Sequence, residues 1–348
     1  MSSVPLLVGD SGDPAFVAQL AQRARVVCTT VGPYSRYGEG LVAACADAGA
    51  SYCDLTGEVH FIRYMIDRYE ARARQSGARI VHSCGFDSIP SDLGTFYLQE
   101  QARARWGSVC EQVRARVVKM RGGSSGGTIG SALAVLEATQ KDTTLRKLMM
   151  QPYCLNPAGE QSGPDGADQL TPQRDPDFGW TAPFIMAAGN TRIVRRTNAL
   201  LGYPYGRNFR YDEAIATGHG AKGFIAASGV SAGTGALVAA LATPPLRALA
   251  QRALPKPGEG PTEAQRESGF FVFELLGSRG HDKLRVRVSA DRDPGYGATA
   301  KMLGESALCL ALDSARLPVQ GGSWTPASAM GMPLVDRLNE VGVRFEVA

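Results

Sequence analysis

The fold is decided by three short segments that read VVCTTVGPY at residues 26–34, SYCDLTGE at 51–58 and RIVHSCGFDS at 79–88. Each segment begins with an apolar run that is rich in β-branched or aromatic residues and too short for a helix. Stretches with helical periodicity, 40–47 and 61–75, lie between the three runs. This alternation of strand and helix predicts a parallel sheet with right-handed crossovers, and therefore an α/β fold.

The ends of the three predicted strands are where we expect a ligand, because parallel sheets of this kind bind ligands beyond the carboxyl ends of their strands. In this chain those ends carry Gly32-Pro33-Tyr34, Thr56-Gly57-Glu58 and residues 84–88. A glycine allows a ligand to approach the backbone closely, and a proline fixes the turn. The sequence therefore predicts that the chemistry of the protein takes place at these three loops.

The composition is that of a globular protein and excludes several classes of function. A length of 348 residues suggests two domains. The net charge of +4 is small and Lys and Arg form no long runs, which argues against a nucleic-acid partner. The 7 cysteines include no C-x-x-C pair, and no cluster of His, Cys and Asp has ligand spacing. We therefore predict reduced thiols in a cytoplasmic protein, with no metal site and no signal peptide.

The segment before the first of these strands is incomplete as a dinucleotide-binding unit. Residues 4–8 are predicted to form a strand with Asp10 at its tip, and 14–24 a helix. A dinucleotide fold opens with a strand, a glycine-rich turn and a helix whose amides hold the pyrophosphate, and no such unit precedes residue 4. We expect either a true start upstream or a truncated relative with weakened cofactor binding.

Two glycine motifs elsewhere are alternative candidates for a phosphate site. Gly38, Gly40 and Ala43 satisfy G-x-G-x-x-A, and a G-x-G-x-x-G begins at Gly218. Such matches are weak by themselves, and glycines at the start of a helix are the preferred explanation of both.

Several motifs along the chain resemble the saccharopine dehydrogenase-like oxidoreductases, and among them the mycobacterial trans-acting enoyl reductases. The resemblance runs in order over nearly the whole chain. The motifs that carry it are TTVGPYSRYG at 29–38, AACADAGASYCDLTGE at 43–58, GARIVHSCGFDSIPSDLG at 77–94, GGSSGGTIGS at 122–131, NTRIVRRTNALL at 190–201, LPKPG at 254–258, DPGYGATAKMLGE at 293–305 and WTPASAMG at 324–331.

The resemblance implies a two-domain architecture built on an incomplete Rossmann-like parallel sheet. Residues 1–95, with 295–320 packing back onto them, would form the N-terminally truncated dinucleotide-binding domain. Residues 96–294 would form an α+β substrate domain with a mixed or antiparallel sheet. Residues 321–348 would add a loop, a helix and a strand.

The resemblance also implies reduction of a carbon–carbon double bond with NADPH, on a polyketide or lipid intermediate of phthiocerol-type lipid biosynthesis. The acyl chain would be tethered to the carrier domain of a polyketide synthase. Tyr34 and Asp87 are the catalytic candidates, although Tyr34 could simply stack on the nicotinamide and Asp87, like Asp92, could cap the next helix. The residues expected to bind the cofactor are Asp10, Thr30, Val31, Gly32, Pro33, Tyr34, Gly85, Phe86 and Ser88.

Several alternatives stay open at this point. The chain could be a saccharopine-like dehydrogenase of an amino-acid substrate, or a non-catalytic relative that binds lipid or a carrier protein. Residues 223–246 contain no charged residue and are predicted to be a buried or interface helix, a lipid-facing helix or a membrane span. A lipid-facing helix would associate the protein with the inner face of the plasma membrane. Arg192, Arg195 and Arg196 could grip a phosphopantetheine or be solvated, and a homodimer is compatible with the sequence.

Overall fold

A computed structural model of the protein describes residues 4–122, 126–243, 245–247 and 260–348. It contains a parallel sheet of four strands and a separate mixed sheet of seven strands, with helices packed against both. The α/β fold class and the second, mixed sheet that the sequence predicts are confirmed.

The first sheet contains the three predicted strands and a fourth that comes from far along the chain. All four strands are parallel, in the order β1-β2-β3-β10. The strands are β1 Val26–Cys28, β2 Ser51–Cys53, β3 Arg79–Val81 and β10 Gly322–Trp324, and the helices before and between the first three are α1 Pro14–Arg23, α2 Tyr34–Tyr37, α3 Glu39–Ala48 and α4 Val59–Ser76.

One face of this sheet packs against α3 and α4. Val27, Tyr52 and Ile80, one from each predicted strand, lie in a single buried cluster with Phe61 and Met65 of α4. The apolar positions of α4 recur at helical spacing, so its apolar face meets the sheet while its charged face stays in water. The predicted β-α-β-α-β pattern is therefore confirmed, with strand ends two or three residues shorter than the apolar runs.

The second sheet has the order β11-β9-β8-β4-β7-β6-β5, in which only the β4–β7 pair is parallel. Its buried face packs against α5 and α8. The strands are β4 Gln112–Arg121, β5 Gln173–Asp175, β6 Gly179–Pro183, β7 Arg210–Gly218, β8 Phe270–Arg279, β9 Asp282–Ala290 and β11 Val343–Val347, and the helices are α5 Ile89–Trp106, α6 Gly126–Lys141, α7 Thr143–Met150, α8 Ala187–Leu200, α9 Gly220–Ala242, α10 Glu263–Ser268, α11 Thr299–Leu312 and α12 Pro326–Glu340.

The two sheets are joined by helices that contact both halves of the chain. Helix α11 packs against β1 and β2, in the region that the sequence places back on the first sheet. Asp92 of α5 is fully buried, and its carboxylate accepts hydrogen bonds from the Thr197 hydroxyl at 2.5 Å and the Ala327 N–H at 2.8 Å. Burial raises the pKa of Asp92 to about 7. This carboxyl group therefore links α5 to α8 and α12.

Two local predictions are wrong. Residues 4–8 form no strand: their side chains are exposed, and no strand of the described chain forms hydrogen bonds with their extended backbone. The loop predicted at the start of 321–348 instead contains β10, and Thr325 and Ser328 then begin α12 with a capping box. Residues 123–125 of the motif at 122–131, and the whole motif at 254–258, lie outside the described residues.

The chain passes close to the end of α4 at Gly321, just before β10, and the space there admits only glycine. A substitution at this position should therefore lower the stability of the protein. A Cβ atom at Gly321 would lie 2.1 Å from the carbonyl oxygen of Ala73, which is backbone and cannot move aside cheaply. We expect Gly321→Ala to lower the free energy of unfolding by about 2–4 kcal/mol, measured by urea denaturation.

Gly304→Ala is the matched control, because no atom lies within 4 Å of the Cβ position at this site in α11. Alanine should stabilise that helix by roughly 0.5–1 kcal/mol. Equal effects of the two substitutions would contradict the close crossing at Gly321.

Candidate functional site

The three predicted loops lie together at one edge of the first sheet, and the buried carboxylate of Asp54 fixes two of them. Asp54 follows β2 and is fully buried. One carboxylate oxygen accepts the N–H groups of Thr56 and Ser83, both at 3.1 Å. The other accepts the Tyr52 hydroxyl at 2.9 Å and hydrogen-bonds to Nδ1 of His82 at 2.7 Å. The loop after β2 is therefore tied to the loop after β3.

Glu58, also fully buried, ties the loop after β2 to the loop after β1 and to the second half of the chain. Its Oε1 accepts the N–H of Tyr34 and the hydroxyl of Ser131, both at 2.8 Å, and its Oε2 accepts the N–H of Ser35 at 3.0 Å. Because these two amides open α2, Glu58 occupies the position that an anion would otherwise take at a helix start.

Helices of the second half of the chain contact the loop after β3. The Ser88 hydroxyl donates to Oδ1 of Asn190 in α8 at 3.0 Å. The N–H of Phe86 donates to Oγ1 of Thr299, the first residue of α11, at 3.0 Å. Together with Ser131 of α6, these contacts place three helices of the second half against the strand ends.

The loop after β1 carries the most accessible of the predicted site residues. Thr30, Val31 and Gly32 are exposed and form what we call the β1 ledge, while Pro33 is partly buried. A Cβ atom at Gly32 would make only ordinary contact with the Tyr34 ring, at 3.5 Å. The backbone of the β1 ledge is therefore open to a ligand.

Tyr34 lies in the predicted loop, but its side chain points into the core. It is only 2% exposed, and its hydroxyl donates to the carbonyl oxygen of Thr29 at 3.1 Å. Its ring packs at a tilt against Phe61, with 6.0 Å between centroids. Burial raises the pKa of Tyr34 far above its ordinary value. The phenol therefore has a structural partner, and a role as proton donor stays a prediction that this geometry does not favour.

Asp87 is the unusual carboxyl group of the site. It is partly buried and makes no hydrogen bond or ion pair with any of the described residues. Burial raises its pKa to about 6. The residue before α5 is Ser88, and no side-chain bond caps that helix. Since Asp92 bonds elsewhere, the interpretation of Asp87 and Asp92 as helix caps is wrong.

The other predicted site residues have structural surroundings. Asp10 follows no strand and is exposed, and its carboxylate accepts the N–H of Gly12 at 2.8 Å. Gly85 is tightly packed, since a Cβ there would lie 3.1 Å from that of Leu55. Phe86 packs edge-on against Phe271 of β8, at 4.8 Å between centroids. These contacts hold the loop after β3 against the second sheet.

Glu213 is a buried site residue that the sequence analysis missed. Its carboxylate accepts hydrogen bonds from Nδ2 of Asn190 at 2.7 Å, from the Tyr211 hydroxyl at 2.9 Å and from the Ser91 hydroxyl at 3.0 Å. Burial raises the pKa of Glu213 to about 7. One feature of the sequence could have identified Glu213. It is an acidic residue at an inward-facing position of β7, and a buried acidic side chain needs hydrogen-bond partners.

The three arginines of α8 are buried, so both sequence interpretations of them are wrong. Arg192 pairs with Asp168, and Arg195 pairs with Asp165 at 2.7 Å. Arg196 donates to the carbonyl oxygens of residues 155 and 323, and burial lowers its pKa to about 10. These guanidinium groups hold loops in place and are neither solvated nor free for a phosphate.

Both glycine motifs have a structural explanation. The Gly38 N–H donates to the Tyr34 carbonyl at 2.7 Å and the Val42 N–H to the Gly38 carbonyl at 3.2 Å, so α3 begins directly from α2. A Cβ at Gly223 would lie 2.2 Å from the carbonyl oxygen of Gly218. That glycine permits the close approach of α9 to β7.

Helix α9 covers most of the uncharged stretch and is largely exposed. It packs against β6 and β7 through Gly223 and Ala227, and the half-exposed ring of Phe224 lies against Trp180 of β6, with 4.7 Å between centroids. Ile225 faces outward. The prediction of a buried helix is therefore wrong, and the interface and lipid-facing interpretations stay predictions. Within the described residues, α9 is the one helix long and apolar enough to cross a membrane, by length and composition alone.

Comparison with known proteins finds relatives over nearly the whole chain, although no protein-family profile matches. A protein of Mycobacterium tuberculosis H37Rv that is designated a candidate trans-acting enoyl reductase is 44% identical over 354 residues, covering 98% of this chain and 84% of the relative. The trans-acting enoyl reductase of Mycobacterium ulcerans is 40% identical over 357 residues, with the same coverage. That of M. tuberculosis H37Rv is 39% identical over 350 residues, covering 97% of this chain and 84% of the relative.

Among solved structures, an amine dehydrogenase from Mycobacterium smegmatis aligns with 90% of this chain and 78% of its own. The TM-score is 0.38 and the sequence identity 11%.

The buried position of Glu58 generates a prediction about the loops that it joins. Glu58→Ala would leave two amides and one hydroxyl without their acceptor, so we expect the free energy of unfolding to fall by about 1–3 kcal/mol. Glu58→Gln keeps one acceptor oxygen and should lose less. Urea denaturation measures both changes.

Glu111→Ala is the control, because the Glu111 side chain is 72% exposed and its one ion pair, with Arg279, is 3.9 Å long. Its effect should stay within about 0.5 kcal/mol. If Glu58→Ala were equally harmless, the three loops would not depend on this carboxylate.

Proposed function

The chain belongs to the family of trans-acting enoyl reductases, oxidoreductases that act on a carbon–carbon double bond, and we propose that it reduces an enoyl substrate with NADPH. The observation that carries this proposal is the combination of an open β1 ledge with one unpaired carboxyl group, Asp87, at the same edge of the first sheet.

The ends of the strands that carry these two features are close neighbours. β1 and β3 are separated by one strand, so their ends lie about 10 Å apart. In this proposal a flat ring lies on the β1 ledge, and the substrate lies between that ring and the loop after β3, which carries Asp87. Orienting the two reactants is one contribution that a protein makes to a reaction whose hydride comes from a cofactor.

Asp87 is the group that we assign to the proton. Enoyl reduction delivers a hydride to the β-carbon, which the bound nicotinamide supplies, and a proton to the α-carbon. A carboxyl group with a pKa of about 6 is partly protonated near neutral pH and can give up that proton readily. The Tyr34 hydroxyl already donates to Thr29 and is not used in this proposal.

The described residues fit the nicotinamide half of the cofactor. The β1 ledge offers exposed backbone, and Gly32 carries no side chain that would hold a ring away from it. Within the described ranges, no glycine-rich turn joins a strand of the first sheet to a helix, and the amides of α2 are bonded to Glu58. We therefore assign no residue to the pyrophosphate.

The substrate in this proposal is an acyl chain, carried by a polyketide synthase carrier domain during phthiocerol-type lipid biosynthesis. The exposed apolar helix α9 suits a lipid-like substrate and would face a membrane surface in the same proposal. An amino-acid substrate with two carboxylates needs free cationic groups. Arg192, Arg195 and Arg196 are committed to other partners, which favours the acyl chain.

Cofactor titration tests the proposal directly. NADPH should quench the tryptophan fluorescence of the folded protein saturably, and Gly32→Ala should weaken that binding by about tenfold, since its methyl group enters the β1 ledge. Gly40→Ala is the matched control, because Gly40 is exposed and its Cβ position is open. If the fluorescence of the folded protein does not change at millimolar NADPH, the result would support the alternative of a non-catalytic protein that binds lipid or a carrier protein.

The assignment of Asp87 predicts a pH dependence. The reaction needs the protonated carboxyl, so the rate of NADPH oxidation with an enoyl thioester should fall as the pH rises through about 6. Asp87→Asn should lower kcat by roughly 10²–10⁴-fold without weakening NADPH binding. Asp47→Asn, at an exposed ion pair with Arg72, should change neither. A full rate in Asp87→Asn would assign the proton to another group.

A further inference from the structure

Two cysteines face each other at the ends of β1 and β2. Cys28 and Cys53 are direct partners in the parallel register of these strands. Neighbouring strands lie about 4.8 Å apart, which is within the range of roughly 4.4–6.8 Å between Cα atoms that a disulfide requires. Residues paired directly across two parallel strands project their side chains to the same face of the sheet, so the two thiol groups lie side by side.

The two thiols differ in exposure and acidity. Cys28 is exposed, whereas Cys53 is fully buried. The hydrogen bond from Cys53 lowers the pKa of Cys28, and the same bond together with burial raises the pKa of Cys53. A thiolate is the reactive form of cysteine, so Cys28 is the first of the pair to react with an oxidant.

The remaining cysteines provide an internal comparison. Cys45, Cys84, Cys110, Cys154 and Cys309 are all buried. Burial raises the pKa of Cys45, Cys110 and Cys309 to about 12. Among the described residues, Cys28 is the one exposed cysteine, and a second cysteine is its direct partner across the strand pair.

We propose that Cys28 and Cys53 form a modification site, which hydrogen peroxide converts to an intramolecular disulfide that weakens cofactor binding at the β1 ledge. The formation of the disulfide stands on the geometry of the two strands alone. Its effect on the cofactor rests on the proposed function.

The chemistry balances in two steps. The Cys28 thiolate attacks one peroxide oxygen, the O–O bond breaks, and a sulfenic acid and a hydroxide ion are formed. The hydroxide takes up the proton that the Cys28 thiol released when it ionised and becomes the first water. The Cys53 sulfur then attacks the sulfur of the sulfenic acid, the S–O bond breaks, and the hydroxide leaves with the Cys53 proton as a second water. The two thiols together lose two electrons, which reduce the peroxide, and a dithiol reductant reverses the change.

The position of the two cysteines explains why a disulfide between them would change cofactor binding. Strand pairing continues one residue beyond Cys28, where the Thr29 N–H donates to the carbonyl of Cys53 at 3.1 Å, and the β1 ledge begins at Thr30. Disulfides most often hold their Cα atoms about 5.5–6 Å apart, and neighbouring strands lie about 4.8 Å apart, so closing the bond moves the end of β1 away from β2. A displacement of this kind at a site that positions reactants lowers the rate by about tenfold or more.

The experiment treats the full chain with hydrogen peroxide, maps the peptides without reduction, and measures NADPH affinity before and after a dithiol reductant. We expect a peptide linking Cys28 to Cys53 that lacks two hydrogens, and NADPH binding weakened by about tenfold and restored on reduction. Cys53→Ser should abolish the link while leaving the Cys28 thiol free to be alkylated. Cys45→Ser is the matched control and should form the link normally. Cys45 belongs to the buried cluster of Val27 and Tyr52, whereas Cys53 belongs to a different cluster.

Each half of the proposal can fail separately. Peroxide that leaves both thiols free, or that yields only a sulfinic acid at Cys28 or a link between two molecules, overturns the disulfide. A disulfide that forms without changing NADPH affinity overturns the effect on the cofactor. If the reduced protein binds no NADPH at all, the proposed function fails while the mapped disulfide still establishes the modification site.

Discussion

The arrangement of the candidate site depends on two buried carboxylates that follow β2. Asp54 takes part in four hydrogen bonds and Glu58 accepts three, so every oxygen of these buried groups has a partner. A buried carboxylate is tolerated only under this condition, and removing its partners would cost several kcal/mol. Ser83, which follows β3, donates to Asp54, and Tyr34 and Ser35, which follow β1, donate to Glu58. These hydrogen bonds therefore fix the relative positions of the three strand ends.

The same carboxylates explain which parts of the site are closed and which are open. Glu58 takes the amides that begin α2, so the backbone there has no free donors for an anion. Asp54 accepts the N–H groups of Thr56 and Ser83, which are therefore not free to bind a ligand. Among the described residues in the loops at these strand ends, the β1 ledge is the longest exposed run, and Gly57 in the loop after β2 is exposed beside it. A ligand is therefore directed toward the ledge, beside the thiol pair at the ends of β1 and β2.

The sequence predicts the strands and helices of the first sheet well because their periodicity is local. β10 could not be predicted in this way, since its three residues pair with β3 across more than 200 positions of the chain and carry no apolar run. The arginines of α8 were misjudged for a related reason, because their partners Asp165 and Asp168 lie in a loop that sequence spacing cannot place. The positions of the site loops were predictable, whereas their hydrogen-bond partners depended on tertiary contacts.

The assignment of Asp87 follows from comparing it with the other buried acids. Asp92 and Glu213 also have raised pKa values, but each is held by two or three hydrogen bonds that give it a structural role. Asp87 has none among the described residues, so no hydrogen bond or ion pair in that part of the fold compensates its partial burial. An uncompensated carboxyl group lowers stability, and perturbed groups of this kind concentrate at functional sites. A substrate that accepts its proton provides the partner that the fold does not, and this is why we place the proton transfer at Asp87 and not at the fully bonded Tyr34.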